Sequence, residues 1–241
     1  MIVVRDGDAT PPGRHAVAVG VFDGLHRGHQ RVIAEARDAA GEDAAVAVAT
    51  FDPHPAEVLN AARAPRLIST IDQRLEGLAA LGVDVARVVT FDAALAAESA
   101  DSFVRRVLVG ELRASAVVVG EGFRFGHDRV GDVDLLERLG AALGFTVRAV
   151  APFGEDGRIS STRVRALLGA GDVEAARAAL GHAFTLRGSV ERGDARGRQL
   201  GFPTANLDVA PRQALPAQGV YAALARTPDA ALYAAATSIG V

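Results

Sequence analysis

The sequence predicts an α/β fold in which a doubly wound, mostly parallel sheet is followed by a partial antiparallel β-barrel. Over about the first 180 residues, short apolar runs alternate with segments of helical spacing. From about Thr185 onward, Gly, Pro and short strand-like segments replace the helical patterns. Strands that alternate with helices are typical of a parallel sheet covered by helices.

The predicted strands of the first region are short and apolar. They lie at Ala16–Phe22, Ala44–Phe51, Val85–Phe91, Ser115–Gly120 and Thr146–Val150. Such near-continuous apolar runs are typical of strands that are buried on both faces. The predicted helices lie at Gly28–Ala40, Gln73–Leu81, Ser102–Leu108, Asp134–Leu143 and Val173–Leu180. Since ligands bind beyond the carboxyl ends of such strands, we expect the chemistry in the loops that follow them.

The second region has a different pattern. Strands of a small antiparallel barrel are predicted at Thr185–Arg192, Gly219–Arg226 and Leu232–Ile239. The boundary is predicted near His182, which gives domains of residues 1–182 and 183–241.

The composition is that of a soluble globular protein. The net charge is −3, so there is no basic excess to suggest a nucleic-acid partner. The absence of Cys excludes a disulfide framework and thiolate metal sites. No apolar run approaches the ~20 residues that cross a bilayer, and the N-terminus does not resemble a signal peptide. We therefore expect a cytoplasmic protein without a membrane partner, and the composition leaves the oligomeric state open.

The first chemical motif is GVFDGLHRGHQ, residues 20–30, between a predicted strand and a predicted helix. Backbone N–H groups at a helix start favour an anion, and the glycines allow the backbone to approach a phosphate chain closely. His26 and His29 are three residues apart, so both imidazoles face the same way and can stabilise phosphates during phosphoryl transfer. A metal half-site and two surface histidines without a role are the alternatives. The strand–turn–helix context favours the phosphate interpretation.

HRGH with the preceding GVFDG resembles the HxGH signature of the nucleotidyltransferase superfamily. The whole string resembles the FAD synthetase module of bacterial bifunctional riboflavin kinase/FMN adenylyltransferases. The resemblance implies attack of the FMN phosphate on the α-phosphorus of ATP, with pyrophosphate leaving and Mg²⁺ assisting. It implies that His26 and His29 are catalytic. The residues implied to shape the ATP pocket are Gly20, Phe22, Asp23 and Gly24.

The second motif is RISSTRVR, residues 158–165, where hydroxyl side chains and arginines stand at a predicted helix start. A simple capped surface helix is the alternative. The string resembles the ISSTxxR signature that accompanies HxGH, and it follows in the expected order. The resemblance implies catalytic roles for Ser161, Thr162 and Arg165, with Arg165 on the β- or γ-phosphate. The further ATP contacts implied are Arg158, Ser160 and Arg163. We therefore expect the two motifs to meet at one triphosphate.

Two segments are predicted to bind the flavin substrate. TFDPHP, residues 50–55, has prolines that stiffen the exit from a strand. VGEGFRFG, residues 119–126, places two aromatic rings beside an arginine. A stiff loop and hydrophobic packing of the rings are the alternatives. Both segments are similar to family segments near the flavin, although Gly122 stands where the family usually has Asn or Asp. The flavin-binding residues implied are Asp52, Pro53, His54, Phe123, Arg124 and Phe125.

The second region carries GSVERGDARGRQLGFPTANL, residues 188–207, which resembles the riboflavin kinase signature. A glycine-rich hairpin is the alternative. The resemblance implies that Arg196 and Gly197 cover ATP phosphates, and that Thr204 and Asn206 hold Mg²⁺ during γ-phosphoryl transfer to riboflavin. The family's barrel continues beyond the last residue of this chain. We therefore expect an FMN adenylyltransferase domain followed by a truncated riboflavin kinase domain with impaired activity.

Two other functions are kept as alternatives. One is an HxGH nucleotidyltransferase that uses CTP and a sugar or polyol phosphate, and the kinase-like string argues against it. The other is a non-catalytic flavin- or nucleotide-binding protein. Gly122 and the early chain end leave room for that function, whereas the intact histidines and the serine and arginine of ISSTRVR argue against it.

Overall fold

The computed structural model describes residues 1–42, 44–154, 159–191 and 204–240. The chain divides into two compact units. The first comprises Met1–Pro65 and Ile71–Ser160, and the second comprises Arg66–Thr70 and Ser161–Val241. The domain boundary expected near residue 182 stays a prediction.

A six-stranded parallel sheet forms the centre of the first unit. Its strands are β1 (Ile2–Val4), β2 (His15–Val19), β3 (Ala45–Asp52), β4 (Val85–Thr90), β5 (Ala114–Gly120) and β6 (Thr146–Val150). The spatial order is β1-β4-β3-β2-β5-β6, and each neighbouring pair is parallel. The predicted doubly wound class is therefore confirmed.

The strand order identifies where this sheet binds ligands. From β2 the chain passes to β3 and β4 on one side, and it then returns to β5 and β6 on the other. The loops that leave β2 and β5 therefore diverge to opposite sides of the sheet. In doubly wound sheets, ligands bind at such a switch point, beyond the carboxyl ends of the strands.

Helices cover both faces of this sheet. The helices of the first unit are α1 (Arg27–Ala40), α2 (Pro55–Leu59), α3 (Ile71–Ala80), α4 (Ala93–Ala97), α5 (Ala100–Phe103) and α6 (Val133–Leu143). Successive strand residues point to opposite faces, so Val17 and Val19 join one apolar layer, with residues of α5 and α6. Ala16 and Ala18 join a second layer, with residues of α1 and α3. The central strands are therefore buried on both faces, as their apolar sequences predict.

Several elements differ from the sequence prediction, among them α2, α4 and a strand at Asn206–Val209, which were not predicted. The predicted helix Ser102–Leu108 is formed by α5 and by a π-helix, Val104–Glu111, that continues it. Its buried residues Val104, Val107 and Leu108 have the three- and four-residue spacing of an α-helix, so the sequence pattern alone does not distinguish the two kinds of helix. β1 was not predicted because it has three residues, and it is held by parallel pairing with β4.

The second unit contains helices and short antiparallel sheets. Its helices are α7 (Ser161–Gly169) and α8 (Val173–Leu180), and its strands are β7 (Gly188–Glu191), β8 (Asn206–Val209), β9 (Gly219–Arg226) and β10 (Leu232–Ile239). β7 pairs with β8, and β9 pairs with β10, both in antiparallel fashion. The predicted antiparallel character of this region is therefore confirmed. Within the described ranges, no helix has the length and apolar character needed to cross a membrane.

Candidate active site

The loop after β2, residues 20–29, is here called the histidine loop. Its backbone has positive φ at Phe22 (55°), Gly24 (78°) and Leu25 (45°). Such φ values are unfavourable for bulky residues, and they persist only where the surroundings enforce them. Both bulky side chains are buried, Phe22 at 1% and Leu25 at 5% exposure. Their burial in the core holds the loop in this conformation.

The two imidazoles of the histidine loop lie together. His26 is the N-cap of α1, and its Nδ1 accepts a hydrogen bond of 3.3 Å from the backbone N–H of His29. The rings stack with centroids 3.6 Å apart and planes 18° apart. A nitrogen that accepts from an N–H is unprotonated, so the proton of a neutral His26 ring lies on Nε2. His26 can then donate a hydrogen bond from that nitrogen.

The segment before α7 passes beside the histidine loop. A Cβ on Gly28 would lie 3.6 Å from the carbonyl oxygen of Ile159. Ile159 in turn donates from its N–H to the carbonyl of Phe153, at 2.9 Å. The guanidinium of Arg27 lies 5.0 Å from the centroid of the Phe153 ring, in cation–π contact. The beginning of the ISST string therefore lies next to HRGH within the first unit.

The remaining residues of RISSTRVR are divided between two units and one undescribed stretch. Ser160 is the last residue of the first unit, and α7 begins at Ser161, as the helix-start prediction requires. Within the second unit, Arg165 donates from Nε to the carbonyl of Arg66, at 2.6 Å. Arg158 lies outside the described residues. The expected phosphate contacts of Ser160, Ser161, Thr162, Arg163 and Arg165 stay predictions.

A buried arginine that the sequence analysis missed lies beneath the histidine loop. Arg74 of α3 is 1% exposed, and its Nη1 donates to Thr50 Oγ1 (3.2 Å) and to the carbonyl of Phe51 (2.9 Å). Thr50 Oγ1 donates to the carbonyl of Val21, at 2.9 Å. Burial lowers the pKa of Arg74, and nearby carboxylates oppose that shift. The sequence did contain a sign that Arg74 is buried, because Arg74 lies four residues before Leu78 and so shares the apolar face of the helix.

The TFDPHP segment caps a short helix. His54 is the N-cap of α2, and its Nδ1 accepts from the N–H of Ala56 at 3.1 Å. Glu57 Oε1 accepts from the N–H of His54 at 3.3 Å, which completes a capping box. The segment is therefore ordered by local hydrogen bonds at the carboxyl end of β3. The flavin contacts of Asp52, Pro53 and His54 stay predictions.

Phenylalanines link the loop after β5 to the ends of β3 and β4. Phe123 and Phe125 stack with centroids 5.3 Å apart. Phe125 lies 6.1 Å from Phe103, which lies 6.2 Å from Phe51, and Phe51 meets Phe91 edge-on at 6.0 Å. Phe125 is 8% exposed and packs in the core, which agrees with the alternative of hydrophobic packing, whereas Phe123 is half-buried. Phe51 lies in the TFDPHP segment that is predicted to bind flavin, whereas Phe91, directly after β4, and Phe103 were not predicted as site residues.

Arg124 lies between Phe123 and Phe125 in the sequence, and its side chain contacts the carbonyl of Phe123 and the carboxylate of Asp132. Its Nη1 donates to the carbonyl of Phe123 at 3.3 Å and lies 3.9 Å from Asp132 Oδ2. The side chain is 44% exposed, so this ion pair is weak. Flavin binding by Phe123, Arg124 and Phe125 stays a prediction.

The kinase-like string is described in part. Arg196 and Gly197 lie outside the described residues. Asn206 begins β8 opposite Glu191 of β7, and Thr204 precedes it, both exposed. Gly188 faces the backbone carbonyl of Asp208 so closely that any Cβ would collide with it, which explains glycine at this position. Among the described residues, no group of three His, Cys, Asp or Glu side chains could hold a metal ion. Magnesium binding by Thr204 and Asn206 stays a prediction.

Comparison with known proteins identifies two matching families. A model of FAD synthetase matches residues 9–163, and a model of riboflavin kinase matches residues 180–241. The first range contains both the histidine loop and most of RISSTRVR, and the second contains the whole kinase-like string. Each motif therefore lies, wholly or for most of its length, within the residues that match the family it resembles.

Individual proteins with these names are similar over most of the chain. The bifunctional riboflavin kinase/FMN adenylyltransferase of Escherichia coli K12 is 39% identical over 208 residues, which cover 86% of this chain and 66% of the relative. The protein of the same name from Pseudomonas fluorescens is 41% identical over 214 residues, covering 88% and 68%. The chain thus spans about two thirds of the length of these relatives.

A solved structure has the same fold. The crystal structure of a protein named macrolide-efflux protein, from Streptococcus pneumoniae, superposes with a TM-score of 0.86 at 31% identity. The match covers 100% of this chain and 79% of that one.

Proposed function

The chain belongs to the FAD synthetase family, and from this premise we propose that it transfers AMP from ATP to FMN, giving FAD and pyrophosphate. One observation carries the proposal. The stacked imidazoles of His26 and His29 stand at a helix start, in the loop that leaves β2 at the switch point of the sheet. Such a place combines backbone N–H donors, a helix dipole and two imidazole donors for a polyphosphate.

The proposed reaction needs no nucleophile from the protein. A phosphate oxygen of FMN forms a bond to the α-phosphorus of ATP, and the bond from that phosphorus to the bridging oxygen breaks. The bridging oxygen leaves with the electron pair as part of pyrophosphate. Negative charge grows on the phosphate oxygens, and His26 and His29 stabilise it by donating hydrogen bonds. Their fixed stacking means that little reorganisation accompanies the reaction.

We propose that the other ATP contacts come from the two motifs. Gly20, Asp23 and Gly24 would border the nucleotide, with Phe22 fixing the loop from below. The residues proposed to bind the triphosphate from the second motif are Arg158, Ser160, Ser161, Thr162, Arg163 and Arg165. The position of Ile159 beside Gly28 supports this assignment, because Ile159 belongs to that motif and lies next to the histidine loop.

We propose that the flavin lies against the loop after β5. The half-buried ring of Phe123 stacks on Phe125, and Phe125 is anchored in the core through Phe103. A rigid aromatic surface of this kind suits an isoalloxazine ring. Asp52, Pro53 and His54 would approach the same substrate from the end of β3.

Riboflavin phosphorylation is proposed as the second activity of the chain. Arg196 and Gly197 would cover the ATP phosphates, and the oxygen atoms of Thr204 and Asn206 suit Mg²⁺. This cation usually keeps several waters and binds through substrate phosphates with few protein ligands. Mg²⁺ would supply charge neutralisation to the phosphates in both reactions.

A cytoplasmic location also stays a proposal.

The test is incubation of the purified chain with ATP and Mg²⁺ and either FMN or riboflavin, followed by chromatography. FAD formed from FMN, with release of pyrophosphate, supports the proposal, and FMN formed from riboflavin supports the second activity. Products that require CTP, or flavin binding without turnover, would contradict AMP transfer. Omitting Mg²⁺ measures how far each reaction depends on it.

A further inference from the structure

Arg74 connects the ends of two strands through a continuous hydrogen-bonded path. Its Nη1 bridges Thr50 Oγ1 and the carbonyl of Phe51 at the end of β3. Thr50 uses its own proton to bond the carbonyl of Val21, in the histidine loop. The path therefore runs from α3 through β3 to the residue that precedes Phe22.

The charge of Arg74 lies among carboxylates at the same edge. Burial is the largest influence on the pKa of Arg74 and lowers it, while the charges of Asp23, Asp52 and Glu57 raise it. Asp23 is itself 1% exposed and belongs to the histidine loop. A buried cation is costly unless charges and hydrogen bonds compensate it. The cation also offsets three negative charges close to a loop that is proposed to receive a polyphosphate.

Helix α3 supports the histidine loop at a second point. Gly77 follows Arg74 by about one turn, and Leu25 Cδ1 occupies the space that a Cβ on Gly77 would need. Leu25 directly precedes His26. One helix therefore holds the loop by a polar contact at its beginning and by an apolar contact beside its histidines.

We propose that Arg74 is a positioning residue for the histidine loop. It holds the carboxyl ends of β2 and β3 together and so determines where His26 and His29 stand. The effect of Arg74 on catalysis rests on the proposed AMP transfer. Arg74 acts through the two histidines and does not itself touch the substrate.

Arg87 provides a matched control, because it is the other buried arginine among the described residues. It is 3% exposed, and it bonds Asp6 (2.6 Å) and Glu111 (2.7 Å). Neither partner belongs to the histidine loop or to the segments proposed to bind flavin. Replacing Arg87 should therefore remove a buried cation of the same unit without moving the two imidazoles.

The experiment compares Arg74→Met, Arg74→Lys and Arg87→Met in FAD formation, at a temperature where circular dichroism shows each variant folded. Small misplacements of catalytic groups can cost about 10²-fold, so Arg74→Met should lower kcat by roughly that factor. Because His26 and His29 are proposed to stabilise charge that grows in the transition state, kcat should fall by a larger factor than KM for ATP rises. Arg74→Lys keeps the charge and should recover about tenfold. Arg87→Met should keep the wild-type kcat.

A second readout does not depend on activity. The ring-proton NMR signals of His26 and His29 should shift in free Arg74→Met and stay unchanged in Arg87→Met, because only the first change moves the stacked pair. The proposal is overturned if Arg74→Met leaves these signals in place, or if it keeps the wild-type kcat. If the wild-type chain makes no FAD, the proposed function fails, and the NMR comparison still decides whether Arg74 positions the loop.

Discussion

Replacing Gly28 with Ala tests whether the geometry of the histidine pair controls catalysis. A Cβ at this position would lie 3.1 Å from Cε1 and Nδ1 of His26, whereas ordinary contacts begin at 3.4 Å. The ring must therefore move by about 0.3 Å, since close-packed atoms do not overlap. Its stacking on His29 at 3.6 Å restricts movement in that direction. The N-cap bond from His29 is already 3.3 Å long, so the same movement along it would break it.

The expected effect on stability is small, and the expected effect on catalysis is large. Losing an N-cap costs about 1 kcal/mol, and Ala in place of Gly within a helix contributes about 0.5–1 kcal/mol in return. The free energy of unfolding should therefore change by less than about 1 kcal/mol. Displaced imidazoles should lower kcat by roughly 10- to 100-fold.

The assay is FAD formation at saturating ATP and FMN, measured beside thermal unfolding by circular dichroism. Gly169→Ala serves as the control, because an added Cβ at the end of α7 meets nothing within 4 Å. It should keep the wild-type kcat. The reasoning is refuted if Gly28→Ala is as active as wild type, or if its loss of activity only follows a loss of folded protein.

Three further predictions address catalysis, substrate binding and stability. His29→Ala should slow AMP transfer by an amount equivalent to about 2–4 kcal/mol, and an unchanged rate in the FAD assay would remove His29 from the mechanism. Phe123→Ala should weaken FMN binding by roughly 2- to 12-fold, the equivalent of one aromatic contact, and a flavin-fluorescence titration with unchanged affinity would contradict this. Burial raises the pKa of Asp6, but hydrogen bonds from Thr90 and Arg87 outweigh it and hold the pKa below its ordinary value. The folded state therefore binds fewer protons, so this stabilisation is present above pH ~4 and is lost as the pH falls through the folded pKa. Asp6→Asn should lower stability at pH 7 and flatten the acid decline in urea titrations, and unchanged curves would oppose the assignment.

Local patterns were sufficient for much of the secondary structure. The bounds of β9 and β10 agree with the predicted segments at both ends, and helix α1 differs by one residue at its start. Local geometry also made the histidine pair predictable, because residues three apart at a helix start share one side. These features depend on residues that are close in sequence. The period of the helix or strand determines which of those residues share a face.

Other features depend on parts of the chain that meet only after folding. The short strand β1 exists because β4 pairs with it, and its three residues carry no pattern of their own. The burial of Arg74 and its hydrogen bond to Thr50, which in turn bonds Val21, depend on segments that are distant in sequence. The phenylalanines of four separate segments likewise form one group only in space.

The amino-acid sequence alone determined the α/β class, the antiparallel character of the second region and the motifs that indicate nucleotidyl transfer. Each of these follows from residue types and spacings along the chain, without knowledge of which segments meet in space. Only the tertiary structure decided the strand order, the switch point beyond β2 and the buried arginine beneath the histidine loop. The physical reason is that burial and strand pairing are properties of distant segments brought together, which no single segment specifies.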